Sequence, residues 1–134
     1  MTADEIETLA KRLGAIRHMA EVLNYAAAGF EGVWNPEPKK CHENASTWAD
    51  GNEGWKAIRG WLVIDFTDSF LIPKPVVHFI AHSIVRRPDG SLWDITPSEA
   101  TQQYPFVAHP GTDEEFREIV EVHRLAAVDY FPPP

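Results

Sequence analysis

Hydrophobic positions along this chain repeat first at helical spacing, then at strand spacing, and then at helical spacing again. Ile6, Leu9, Leu13, Ile16, Ala20 and Leu23 recur three and four residues apart, which predicts an amphipathic helix over 2–28. Thr2 and Glu5 form a capping box at its start, Gly14 weakens its middle, and Gly29 is a stop signal. The segment FEGVWNPEP (30–38) breaks the period and reads as a loop, anchored by Trp34. KKCHENASTWADGN then predicts a short helix over 39–49. Cys41 falls in its first turn and shares a face with Asn44 or Ala45 and with Trp48.

The period then changes to two. Over 54–66, Trp55, Ala57, Trp61 and Val63 alternate with Lys56, Ile58, Leu62 and Ile64, a strand whose middle is buried on both sides. Residues 67–75 are a loop with an apolar middle, a candidate rim for a cleft. Residues 76–85 predict a second strand, Pro88-Asp89-Gly90 a turn, and 91–96 a third strand. Residues 97–111 read as irregular, with Tyr104 and Phe106 covering part of the sheet. Thr112 and Glu115 form a second capping box for a helix over 113–127, with Phe116, Ile119, Val120 and Ala127 as its apolar positions. The expectation is one α+β domain over 1–134: a central, mostly antiparallel sheet with an N-terminal helix, a cysteine-bearing helix and a C-terminal helix.

Composition narrows the function classes. Twelve Lys and Arg against twenty Asp and Glu give a net charge of −8. That argues against nucleic acid and against anionic membrane as partners, since both need clustered positive charge. A 44% apolar fraction and five tryptophans supply a real core. A single cysteine excludes an internal disulfide. The N-terminal MTADEIETLAKRLG has no apolar signal region, and no run approaches the roughly 18 apolar residues of a membrane span. A cytoplasmic protein is expected.

The candidate chemistry centres on Cys41. A thiol attacks as its thiolate, so a reactive cysteine needs something that lowers its pKa. The helix N-terminus, Lys39 and Lys40, and a histidine are the available helpers. Backbone N–H groups of the same turn can cradle an oxyanion. In an extended strand His78 and His82 share a face with Val76, Ile80 and Ile84. Asp94 lies mid-strand between Trp93 and Ile95, where an acid is costly unless paired. Strand parity decides whether His82 can pair with it. A two-residue Asp89-Gly90 loop turns Asp94 away from His82. An odd loop such as Pro88-Asp89-Gly90 sets His82 opposite Thr96, with Asp94 a diagonal neighbour on the same face, about 7 Å away. The catalytic arrangement therefore requires an odd loop.

Cys41, His42, His78 and His82 are also of zinc-ligand type. The H-x-x-x-H spacing lies in a strand, however, and no C-x-x-C accompanies it, so neither metal nor cofactor is expected. His42 is expected to point away from Cys41. His78 lines the cleft or sits in the core, His109 has no assigned role, and His123 borders an apolar stripe. Trp61 and Trp93 are most simply core.

The ordered set Cys41-His42-Glu43-Asn44-Ala45, Gly60-Trp61, His82-Ser83-Ile84, Asp89-Gly90 and Asp94-Ile95-Thr96-Pro97 resembles small bacterial and phage proteins of the papain-like superfamily, related in fold to the NlpC/P60 and transglutaminase-like groups. The resemblance covers roughly 41–97. It implies a papain-like fold, Cys41 as nucleophile, His82 as general base and acid, and Asp94 as the acid that orients the histidine. Asn44, His78 and Trp61 are candidate supporting or substrate-binding residues. Ser-Ile follows the histidine where the family pattern has Ala-Trp, and no upstream glutamine stands for the oxyanion hole. The expected function is a cysteine-dependent hydrolase or acyltransferase acting on an amide or ester of a small molecule or peptide, through a thioester. The alternative is a non-catalytic binding protein on the same scaffold, which the acidic surface and the aromatic loop residues Trp34, Phe70, Tyr104 and Phe106 permit.

Overall fold

The computed structural model describes residues 1–25, 40–71, 73–96 and 104–133. The expectations for Trp34, for Gly29 and for the loop over 30–38 lie outside the described residues. Helix α1 (Ala3–Ile16) is followed by a 3-10 turn (Arg17–Met19) and the short strand β1 (Asn24–Tyr25). Helix α2 (Cys41–Gly51) leads into β2 (Lys56–Asp65), β3 (Val77–Arg86) and β4 (Leu92–Asp94). The chain ends with β5 (Phe106–Ala108), helix α3 (Asp113–Arg117), a wide π turn (Glu118–Val122) and β6 (Ala127–Tyr130). The α+β class expected from the sequence is present. The strands form a mixed sheet in the order β1-β4-β3-β2-β5, with β6 also pairing β3. The β1–β4 pair is parallel, whereas β2–β5, β3–β4 and β3–β6 are antiparallel.

The residues divide into two compact units. The first comprises Met1–Glu21, Gly60–Ala81 and Tyr104–Pro134, and the second Val22–Arg59 and His82–Gln103. The core of the first unit is built from Leu9, Ala10 and Leu13 of α1, Trp61 and Val63 of β2, Val77 and Phe79 of β3, Val107, Phe116, Ile119 and Val128. Trp61 is fully buried, with its ring edge-on to Phe116 at 5.6 Å. Gly60 permits the pairing of β2 with β5, because a Cβ there would meet the Val107 carbonyl oxygen at 2.2 Å.

Helix α1 starts as expected: the Thr2 hydroxyl accepts from the Glu5 N–H, and Glu5 Oε1 accepts from the Thr2 N–H at 3.0 Å. It stops twelve residues short of the expected end, at Ile16 rather than 28, because the backbone finds other partners. Glu21 and Phe106 exchange both backbone hydrogen bonds at 2.8 Å, so the chain leaves the helix for the sheet. Gly14 is also the seat of a ring. A Cβ at Gly14 would come within 2.6 Å of Tyr130, whose other partner is the Arg17 guanidinium, 5.2 Å from the ring centre. Gly14→Ala is therefore expected to destabilise the protein by about 1–3 kcal/mol through overpacking, although alanine alone favours a helix by about 1 kcal/mol. A lower urea midpoint with unchanged slope checks this.

The C-terminal helix is also shorter than expected. Thr112 caps it, but the chain turns at Arg124, whose φ is 58°. The Leu125 N–H bonds back to the Ile119 carbonyl at 3.1 Å, a closure typical of helix ends. Residues 127–130, expected as helix end and tail, instead form β6 against β3. Phe106, expected as cover for the sheet, is a buried member of strand β5.

In the second unit Ala45 of α2 packs on Val85 and Ile95, flanked by Trp48, Trp55, Ala57 and Trp93. Arg87 stacks on Trp55 and Trp93 at 5.6 and 5.5 Å from their ring centres. This patch joins α2 to the β3–β4 hairpin.

Candidate active site

Cys41 is the first residue of α2. The Asn44 N–H makes the first bond of the helix, to the Lys40 carbonyl at 2.9 Å. An N–H in the first turn, such as that of Cys41, has no carbonyl of its own helix to bond. Ala45, one turn on, is fully buried, and its small side chain lets the start of the helix approach the hairpin closely.

The hairpin has the odd loop that the parity argument demands. Val85 pairs with Trp93 and Arg86 with Leu92. The Arg87 N–H bonds the Ser91 carbonyl, which leaves Pro88-Asp89-Gly90 as the turn. Gly90 has φ of 91°, and Asp89 Oδ1 accepts from the Ser91 N–H at 2.9 Å. Continuing this register sets His82 opposite Thr96, with Asp94 diagonal to it. His82 Nε2 and Asp94 Oδ2 are 2.9 Å apart. The second carboxylate oxygen, Oδ1, accepts from the Thr96 N–H at 3.1 Å. Thr96 Oγ1 in turn accepts from Asn44 Nδ2 at 3.1 Å, in a buried bond. Asn44 thus ties α2 to the strand end carrying Asp94.

The remaining interaction is that of Cys41 with His82. Each shifts the other's pKa, and Asp94 occupies the Nε2 side of the ring. His82, Asp94, Thr96 and Asn44 form a chain of hydrogen bonds that returns to α2, the helix that begins at Cys41. Burial raises the Cys41 pKa, but hydrogen bonds and charge from His42 and His82 outweigh it and lower the value to about 6. Burial lowers the His82 pKa, but Asp94 and Cys41 outweigh that and raise it to about 10. Between those values the pair is thiolate and imidazolium, titrating as a coupled unit.

His42 departs from expectation. Rather than standing apart from the cysteine, it helps lower the Cys41 pKa. Its Nδ1 lies 2.5 Å from Oγ of the fully buried Ser83. Successive helical residues normally diverge. At the start of a helix, however, no preceding turn blocks the side chain from swinging back. Arg59 braces the same turn, donating to the His42 carbonyl at 3.0 Å and to Ser46 Oγ at 2.5 Å. Its signal in the sequence was a cation amid the apolar run of β2; Ser83 and Thr96 carried none beyond their place in the motifs.

Two candidate residues belong to the first unit. His78 Nδ1 is bonded to Asp129 Oδ1 at 2.5 Å. Trp61 offers no surface to a substrate, and its Nε1 donates to His109 Nδ1 at 3.0 Å. His109 in turn faces Glu115 Oε1 through Nε2, at 2.7 Å. That carboxylate also pairs with Arg12 instead of closing the capping box. A cavity of about 400 Å³ in the same unit is lined by Asp4, Thr8, Arg12, Glu115, Glu118 and His123 among others. Among the described residues, no three His, Cys, Asp or Glu side chains are grouped to hold a metal ion. No helix there is long and apolar enough to cross a membrane.

No family model, curated protein or solved structure matches this chain. A functional reading therefore rests on the geometry of the second unit.

Proposed function

We propose that this protein is a cysteine-dependent hydrolase or acyltransferase that cleaves an amide or ester through a thioester on Cys41. The observation that carries the reading is His82 held by Asp94 at 2.9 Å and acting on Cys41, with the thiol held low and the imidazole held high. Such an arrangement supplies an activated nucleophile, a proton carrier and a group that orients the carrier. The papain-like resemblance of the sequence assigns the same three roles.

The steps follow from these groups. The Cys41 thiolate attacks the carbonyl carbon, forming a C–S bond. The oxygen gains negative charge, and the N–H groups at the start of α2 are placed to receive it. The C–N or C–O bond breaks as His82 gives its proton to the leaving amine or alcohol. Neutral His82, held by Asp94, then takes a proton from water as the water oxygen attacks the thioester carbon. The C–S bond breaks, releasing the carboxylic acid and restoring thiolate and imidazolium. An amine or alcohol in place of water gives acyl transfer by the same steps.

Incubation with an activated aryl ester, followed by intact-mass measurement, tests this. A mass gain of one acyl group that maps to Cys41 and disappears in Cys41→Ala is expected. Absence of any adduct on Cys41 across aryl esters and thioesters of varied acyl groups overturns the reading in favour of a binding role.

A further inference from the structure

Each oxygen of the Asp94 carboxylate has a partner: Oδ2 meets His82, and Oδ1 accepts from the backbone N–H of Thr96. The hydroxyl of that threonine is buried and accepts from Asn44, on the cysteine-bearing helix, at 3.1 Å. We propose that Thr96 is a positioning residue of the site, fixing the Asp94 carboxylate through its N–H and tying that carboxylate to the helix of Cys41 through its hydroxyl. The inference rests on the reading of Cys41 as nucleophile and adds a residue that Cys41, His82 and Asp94 do not include.

The need for such a residue follows from where the groups stand. The nucleophile begins α2, whereas the imidazole is on β3 and the acid ends β4. The hairpin register brings Asp94 to His82 but does not place the helix. Groups that exchange a proton must be held within about 0.5 Å of their productive places by neighbours that are themselves fixed. Thr96 joins the two elements at the acid itself. Two residues after Asp94, it takes Oδ1 and leaves Oδ2 to His82, so the carboxylate cannot turn without breaking a bond. Asn44 comes three residues after Cys41 on the same face of α2, so a bond from its amide anchors the turn that starts with the thiol. Asn44 and Thr96 are both buried, and a buried polar link of this kind rigidifies what it joins.

A second brace acts on the same helix from another side. Arg59 of β2 donates to the His42 carbonyl and to the Ser46 hydroxyl, holding α2 against β2. Ser46 is therefore the natural comparison. Loss of its hydroxyl loosens the helix from β2, whereas loss of the Thr96 hydroxyl loosens the helix from the acid.

The test is the pH profile of Cys41 alkylation by iodoacetamide for the wild type, Thr96→Val, Thr96→Ser, Asn44→Ala and Ser46→Ala, with the His82 ring followed by NMR. Valine keeps the branched shape and the backbone N–H and removes only the hydroxyl. In Thr96→Val the thiol midpoint is expected to rise by about half a pH unit, the lower end of what one neutral hydrogen bond is worth. The His82 midpoint is expected to fall with it, because the two groups titrate as a coupled pair. Thr96→Ser, which keeps the hydroxyl, is expected to retain the wild-type midpoints, and Asn44→Ala to follow Thr96→Val. Ser46→Ala is expected to overlay the wild type. A Thr96→Val profile that overlays the wild type overturns the inference, and so does a shift in Ser46→Ala as large as that in Thr96→Val. The nucleophile reading survives either result when the wild-type midpoint is near 6 and moves in His82→Ala. A wild-type midpoint of 8.5 or above removes both. If Thr96→Val does not fold, Asn44→Ala decides, and an unmoved midpoint there overturns the inference.

Discussion

Replacing His82 with alanine is expected to move the midpoint of Cys41 alkylation from about 6 to 8.5 or above. The sign follows from the groups around the sulfur. Burial raises the thiol pKa, and His42 and His82 oppose it. With His82 gone, burial is opposed by His42 alone. The effect on rate is smaller than the effect on thiolate fraction, because a more basic thiolate is intrinsically the better nucleophile. At pH 6 the rate is still expected to fall about ten-fold, since a shift of 2.5 units removes nearly all the thiolate. Near pH 9 the rate in the variant should match or exceed that of the wild type. The wild-type profile also has an upper limb: as pH rises through about 10, His82 loses its proton and the sulfur loses its ion-pair partner. This limb should be absent in His82→Ala. For the enzyme reading, the same two limbs predict a bell-shaped kcat/KM, rising near 6 and falling near 10. A midpoint near 8.5 in both proteins makes Cys41 an ordinary thiol and removes the catalytic reading.

Truncating Trp61 to alanine is expected to cost about 3–5 kcal/mol of stability, the range for emptying a large buried aromatic site. Trp61 has no exposed surface and contacts Phe116 and His109 in the core of the first unit. Two losses add. The cavity left by the indole is lined by α1, β3 and helix α3 side chains that cannot all collapse into it. The Nδ1 of buried His109 also loses its donor, which costs about 1–3 kcal/mol in its own right when a polar atom is left unsatisfied. Trp61→Phe separates the two, because it keeps most of the ring volume and loses only the N–H. Denaturant melts of both variants measure this. A loss below about 1 kcal/mol in Trp61→Ala would return Trp61 to the list of substrate-facing candidates.

The paired elements of the site were legible in the sequence because they depend on local chemistry. Asp89-Gly90 after proline marked the turn, and parity then required Asp94 to share a face with His82. The observed register, Val85 with Trp93 and Arg86 with Leu92, satisfies that requirement. Thr2 and Thr112 marked two helix starts for the same reason: a cap is satisfied by residues within one turn.

The sequence by itself determined where helices begin, which strands form the hairpin, and the order of Cys41, His82 and Asp94, because these rest on spacing and on neighbours a few residues away. Only the tertiary structure decided where α1 ends, since Glu21 leaves the helix to pair with Phe106, a partner far along the chain. It decided β5 and β6 likewise, because strands of three and four residues carry too short a period to announce themselves and exist through Leu62 and Ile80 across the sheet. It decided Gly14, whose missing side chain is occupied by Tyr130. It also decided His42, whose ring meets the buried hydroxyl of Ser83 on the neighbouring strand.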